Sequence, residues 1–226
     1  MALKFAKPDV VEAAAVIRTV GTALAATSRD QGVPGATLLF AISSLSDNAE
    51  ALILAGAIAV PVSVCFDAAR MAGATYAGMV RVVTTVEALS PVGAPAKALA
   101  AASVRFGLGQ IARILSVTAF TSRNEVDATL MAVAALFDRA ETYAADEGDR
   151  GSYAALVRLH AALSADLTMR SRPLPRMVNY SFPRTFSALS LAQRLYGNAS
   201  RAAEIATENN VFHPAFMPRA GEALSA

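Results

Sequence analysis

The stretch ALILAGAIAVPVSVCF, Ala51 to Phe66, runs for sixteen residues without a charged side chain. It constrains the fold most tightly, because such a run must be hidden from water on every side. A membrane-spanning helix needs about 20 apolar residues, and this run is shorter and contains Pro61. It reads as a fully buried core helix, which demands enough chain to enclose it. The 226 residues suffice for one large domain or two small ones. Only 17% of them are charged, against roughly 25% in ordinary globular proteins. Much helical surface is therefore buried within the chain or offered to neighbours. Alanine, the dominant apolar residue, lets helices approach closely while adding little transfer energy, so subunit burial is favoured and no stable membrane insertion is expected.

Several functional classes lose support at this level. The apolar stretch near the N-terminus carries Asp9, Glu12 and Arg18, which is not a secretory hydrophobic region; synthesis in the cytosol without a cleaved signal is expected. Cys65 is the single cysteine, so neither an intrachain disulfide nor a cysteine-based zinc site is available; it reads as a small buried hydrophobe. His160 and His213 are far apart, and no local motif proposes metal or triad chemistry. Glu50, Asp67 and Glu87 read as charges at helix ends. No catalytic group, metal, cofactor or small-molecule substrate is expected. A formal charge of +2 is too near zero to imply nucleic-acid binding by itself.

The pattern predicts a mainly α protein. A first helix covers about Asp9–Thr27, with Pro8 in its first turn and Val10, Val16, Ile17, Val20 and Leu24 on one side. RDQGVPG then breaks the chain, and Asp47 with Glu50 opens the buried helix. A further helical run spans about 66–88, SPVGAP is a loop, and Pro95 opens a helix to about Val117. Ser122 with Glu125 three residues on is the strongest capping signal. It begins a helical hairpin over 121–169 whose turn, DEGDRGS, reads as a solvated charged loop. This sequence division makes 1–169 a long-helix bundle body and 170–176 an Arg/Pro-rich hinge. Residues 177–226 then form a small α+β module.

Within that module MVNYSF alternates as one strand. TFSALSLAQRLYG is a helix ended by Gly197, and NASRAAEIATENN is a second helix capped by Asn198 or Ser200 and ended at Asn209-Asn210. EALSA is the last strand. The β-α-α-β order, the Leu-Tyr-Gly of the first helix, the Asn-Asn ending the second and the Gly-x-x-Leu of the last strand resemble a LysM-type module. A longer stretch, from Leu174 to Pro218, resembles the C-terminal part of the Mu-like phage DNA circularisation protein family, the tail and baseplate protein N group. The residues carrying this are Leu174-Pro175-Arg176, Tyr180, Leu195-Tyr196-Gly197-Asn198, Arg201, Glu204-Ile205, Asn209-Asn210 and His213-Pro214, with Phe216 and Pro218. The likeness extends from Phe120 onward; before that only the helical character is shared. Ala215 stands in place of an expected glycine, Phe212 in place of a basic residue, and the family's separate N-terminal domain is not recognisable.

The resemblance implies a virion structural protein in the baseplate of a contractile tail, assembled in the host cytoplasm. Its implied partners are tail tube, hub and wedge proteins and copies of itself. Arg172, Arg176, Arg184, Tyr196, Gly197, Asn198, Arg201, Asn209, His213 and Pro214 are the expected interaction residues. Two other classes predict different behaviour. A glycan-binding LysM-type protein needs an exposed groove lined by Tyr196, Asn198 and Asn209. A DNA-binding or DNA-circularising protein needs salt-dependent affinity through Arg172 and Arg176. DNA is the less favoured partner, given the near-neutral charge.

Overall fold

The structure, a computed structural model, describes residues 5–28 and 30–225. Met1–Lys4, Arg29 of the RDQGVPG break and Ala226 of the expected final strand lie outside the described residues. Ten α-helices are described: α1 (Lys7–Ala25), α2 (Val33–Asp47), α3 (Ala49–Ala55), α4 (Ala59–Met71), α5 (Tyr76–Glu87), α6 (Ala94–Val117), α7 (Arg123–Asp146), α8 (Arg150–Ser171), α9 (Ala188–Tyr196) and α10 (Ala202–Glu208). Strands β1 (Met177–Ser181) and β2 (Ala220–Leu224) complete the fold. The protein is therefore mainly α with a small α+β end, as its pattern predicts.

The chain divides into two compact units, Met1–Thr118 with Ala134–Leu163, and Ala119–Val133 with Ser164–Ala226. The division passes through α7 and α8 rather than through residues 170–176. That basic segment lies inside the second unit and is pinned there. Arg123 N donates to Pro175 O (2.9 Å), Met177 N to Asn124 Oδ1 (2.9 Å) and Arg176 N to Ser225 Oγ (3.0 Å).

In the first unit α1 is the central helix and touches α2, α3, α4, α5 and α6. Val10, Ala13, Ala14, Ile17, Val20 and Leu24 are buried at helical spacing along it. Pro8, Pro34 and Pro95 each stand in a first turn, where a missing N–H costs nothing. Pro34 therefore opens α2 instead of breaking the chain, and a helix occupies 33–47 where the sequence reading starts one only at Asp47. The charge-free run is not one helix either. Gly56, in the left-handed region (φ 69°), ends α3, and α4 restarts at Ala59. The expected run over 66–88 is likewise interrupted, at Gly73 (φ 81°), before Thr75 caps α5 by accepting from Gly78 N. At the α5–α6 crossing Gly107 is required by close approach, because a Cβ there would press on Val83 Cγ2. Phe66 lies under this crossing, fully buried, and burial of such a side chain contributes about 2–3 kcal/mol.

Polar ties join the same helices. Arg70 Nε donates to the buried Gln110, Gln110 to Asp67, and Arg113 to Asp67 at 2.7 Å. Asp67, Glu50 and Glu87 thus bridge elements, to Arg113, Arg18 (3.8 Å) and Arg139 (2.8 Å), rather than simply ending helices. Among the described residues, α6 is long and apolar enough to cross a membrane, and so is the α2–α3 pair if its 66° bend is counted as one span. Packing of α6 against α1, α4 and α5 is the setting of a core helix.

In the second unit Ser122 and Glu125 form the expected cap. Glu125 N donates to Ser122 Oγ (3.2 Å), and the Glu125 carboxylate accepts from Thr121 N (2.9 Å). Strands β1 and β2 pair antiparallel, with Met177 opposite Leu224 and Tyr180 opposite Gly221. Leu191 of α9 and Ile205 of α10 pack with Tyr180, Met217 and Ala223 to form the module's core. The last strand begins at Ala220, two residues before EALSA.

Candidate interaction surface

The module's site is set by its caps. Ser187 accepts from Ser190 N (3.3 Å) and starts α9; Gly197, at φ 66°, ends it where a side chain would be strained. Asn198 Oδ1 then accepts from Ser200 N (2.9 Å) and opens the 3-10 turn that leads into α10. Of the Asn-Asn pair, Asn210 takes the left-handed conformation (φ 50°) and Asn209 does a different job. Its amide donates to Ile205 O (2.9 Å) and Glu222 O (2.7 Å), and its oxygen accepts from Glu222 N (2.9 Å). The side chain thus imitates a strand neighbour and clamps β2 to the end of α10. Gly221 is obligatory beside it, since a Cβ would collide with Asn209 Oδ1 and the Tyr180 hydroxyl.

The expected interaction residues separate into committed and uncommitted groups. Arg201 stacks on Tyr196, its guanidinium carbon 3.7 Å from the ring centroid, and bonds both oxygens of Glu204 at 2.6 and 3.1 Å. The Tyr196 and Tyr180 hydroxyls are buried without a hydrogen-bond partner among the described residues. Burial raises both pKa values, and the Glu204 carboxylate adds to the rise at Tyr196. His213 Nδ1 faces Ala215 N at 3.4 Å, its ring lies 5.6 Å from Phe216, and Pro214 O accepts from Ala188 N at 2.7 Å. These groups hold the module together. The Tyr196 ring beneath Arg201, Asn198 Oδ1 and the Asn209 amide thus make their contacts within the module, while Asn198 itself is exposed.

Arg172, Arg176 and Arg184 are exposed. Arg184 lies 5.1 Å above the Phe186 ring, and Arg194 lies 4.4 Å from the same centroid. Phe186 meets Phe182 edge-on at 5.5 Å, and Phe182 meets Tyr180 at 6.0 Å, so an aromatic row runs from the core to the two guanidinium groups. Arg194 was missed by the sequence reading. Its signal was an arginine in the last turn of α9, on the helix that Phe186 precedes. In the same module Leu189 is 61%, Phe216 73% and Phe212 fully exposed.

The first unit holds features that sequence spacing does not reveal. Asp138, Glu141 and His160 place ligand atoms within 4.8 Å of one another, with His160 Nδ1 at 3.1 Å from Glu141 and its ring stacked on Phe137 at 4.9 Å. This is the one group among the described residues with donor types suited to a metal. Asp138 and Glu141 are one helical turn apart on α7, but His160 comes from α8 and only folding supplies it. A cleft of about 420 Å³ is lined by Val86, Leu89, Val104 and Ala140, with the Arg139–Glu87 pair at its edge. Cys65 is buried, which pushes its thiol up to about 11 and keeps it a poor nucleophile at neutral pH. The α2 and α4 helices, which pack on each other, leave Val33, Leu39, Phe40, Val60 and Val64 in solvent, Phe40 at 75%. No family model matches this chain, and no curated protein matches it.

Proposed function

We propose that this chain is a structural component of a contractile phage tail baseplate, acting by protein–protein contact rather than catalysis. One observation carries the reading: large apolar side chains stand in solvent in both units, Phe40 on α2 and Phe212 in the terminal module among them. Contiguous exposed apolar surface marks association sites, and a specific interface typically buries about 1,200–2,000 Å². The low charge of the chain supports the same reading, as do the Leu-Tyr-Gly-Asn and His-Pro features shared with the tail protein N group. Tube, hub and wedge proteins and copies of the chain itself are the partners this implies, and the virion tail is its place. The test is sedimentation of the full chain without detergent, alone and co-expressed with tail proteins. Discrete oligomers or a single co-sedimenting complex are expected. A monomer that stays monomeric beside those proteins would overturn the proposal.

A further inference from the structure

Among the described residues, two pairs of like charges make no salt bridge and bear on association. The first is Arg184 and Arg194. Both lie over one Phe186 ring, which places their guanidinium carbons at most about 9.5 Å apart, and neither bonds a carboxylate among the described residues. Their contact with the ring orients them but leaves their N–H groups without an acceptor. The second pair is Asp146 and Glu147. Asp146 is the last residue of α7 and Glu147 follows it, both exposed. A helix C-terminus carries a partial negative charge and favours cations, yet the last turn of α7 holds no basic residue. Asp149, in the same turn, is already used: it accepts from Ser152 N at 3.0 Å and bridges Arg105 at 2.8 Å. Hydrogen bonds from Ser152, with a lesser contribution from Arg105, hold its pKa below the ordinary range. Arg150 makes no bridge to Asp146 or Glu147.

We propose that Arg184 and Arg194 of one copy, held over Phe186, receive the Asp146–Glu147 turn of a second copy. The contact joins two different surfaces, so it is head-to-tail, and repeated around a closed path it generates a ring. Each guanidinium offers a planar fork that matches one carboxylate. The exchange relieves repulsion at both ends, and no other partner is needed to supply either charge. This proposal rests on the self-association included in the proposed function and names the surfaces that would carry it.

The experiment is mass photometry and sedimentation of the full chain at low and high salt. The double variants Arg184→Glu/Arg194→Glu and Asp146→Lys/Glu147→Lys are compared with the unaltered protein. Each double variant should associate at least about tenfold more weakly, because like charges then face each other. An equimolar mixture of the two should recover assembly, since every contact again joins opposite charges. Circular dichroism of each variant shows that folding is retained, and the milder Arg184→Gln/Arg194→Gln variant repeats the test if the reversal unfolds the module. Assembly that ignores both reversals, or a mixture no better than its components, overturns this contact while leaving the structural role standing. An unaltered chain that is monomeric at all concentrations overturns self-association together with this contact.

Discussion

Helices α1 and α2 touch in the same unit and are both dominated by apolar residues, yet they meet opposite fates. On α1, Ile17, Val20 and Leu24 are fully buried beneath five neighbours, whereas α2 leaves Val33, Leu39 and Phe40 in water. Apolar content therefore does not measure core content here. The number of helices packed around an element decides which part of it is sealed. A third arrangement lies in the terminal module, where α10 is short and a polar side chain, Asn209, holds the last strand.

The contrast can be broken by substitution. Ile17→Ala removes a side chain with no exposure from the centre of the first unit, and should cost about 3–4 kcal/mol in urea denaturation. A loss below about 1 kcal/mol would mean that α1 is not the tightly packed centre. Asn209→Ala removes three hydrogen bonds, two of them to the backbone of Glu222, costing about 2 kcal/mol. Amide exchange should localise this loss to residues 220–224, so unchanged protection there would remove the clamp from the account. Phe40→Ser should change the stability of the isolated chain by no more than about 0.5 kcal/mol while weakening its association. Equal damage to folding would make Phe40 a core residue after all.

The smallest effect concerns pH. Glu12 accepts from Val92 N (2.8 Å) and Gly93 N (2.7 Å), and these bonds lower its pKa below the ordinary 4.5. A carboxylate with a depressed folded pKa stabilises above its unfolded value and loses that contribution as pH falls through its folded value. The melting temperature of the unaltered chain should therefore drop more below pH about 4.5 than that of Glu12→Gln. Parallel pH curves would show that the loop at 92–93 is held in another way.

Local chemistry made some elements legible. Pro8 and Pro95 in first turns, Ser122 with Glu125, and Gly197 after Tyr196 each satisfy a backbone requirement within a few residues, and the helices begin or end beside them. Nothing local separates α3 from α4 in the sequence, because Gly56 sits in an unbroken apolar run and no charge marks the reversal. Pro34 is equally ambiguous, since a proline suits either a loop or a first turn, and here it stands in the first turn of α2. Tyr196, Arg201 and Asn209 stand among the expected interaction residues, but Tyr196 packs under Arg201, and the hydrogen bonds of Arg201 and Asn209 run to Glu204 and Glu222 within the module. The Asp138–Glu141–His160 group was not legible, because His160 is brought in from another helix, whereas Arg194 left only the weak signal of an arginine in the last turn of α9.

By itself the sequence determined the helical class, the β-α-α-β order of the terminal module and most helix starts, all of which follow from backbone capping and short-range periodicity. Only the tertiary structure decided which apolar faces are sealed, where the division between compact units falls, and which charges are left without counter-ions. Those outcomes depend on how many elements surround a given residue, and that number is a property of packing across long stretches of chain.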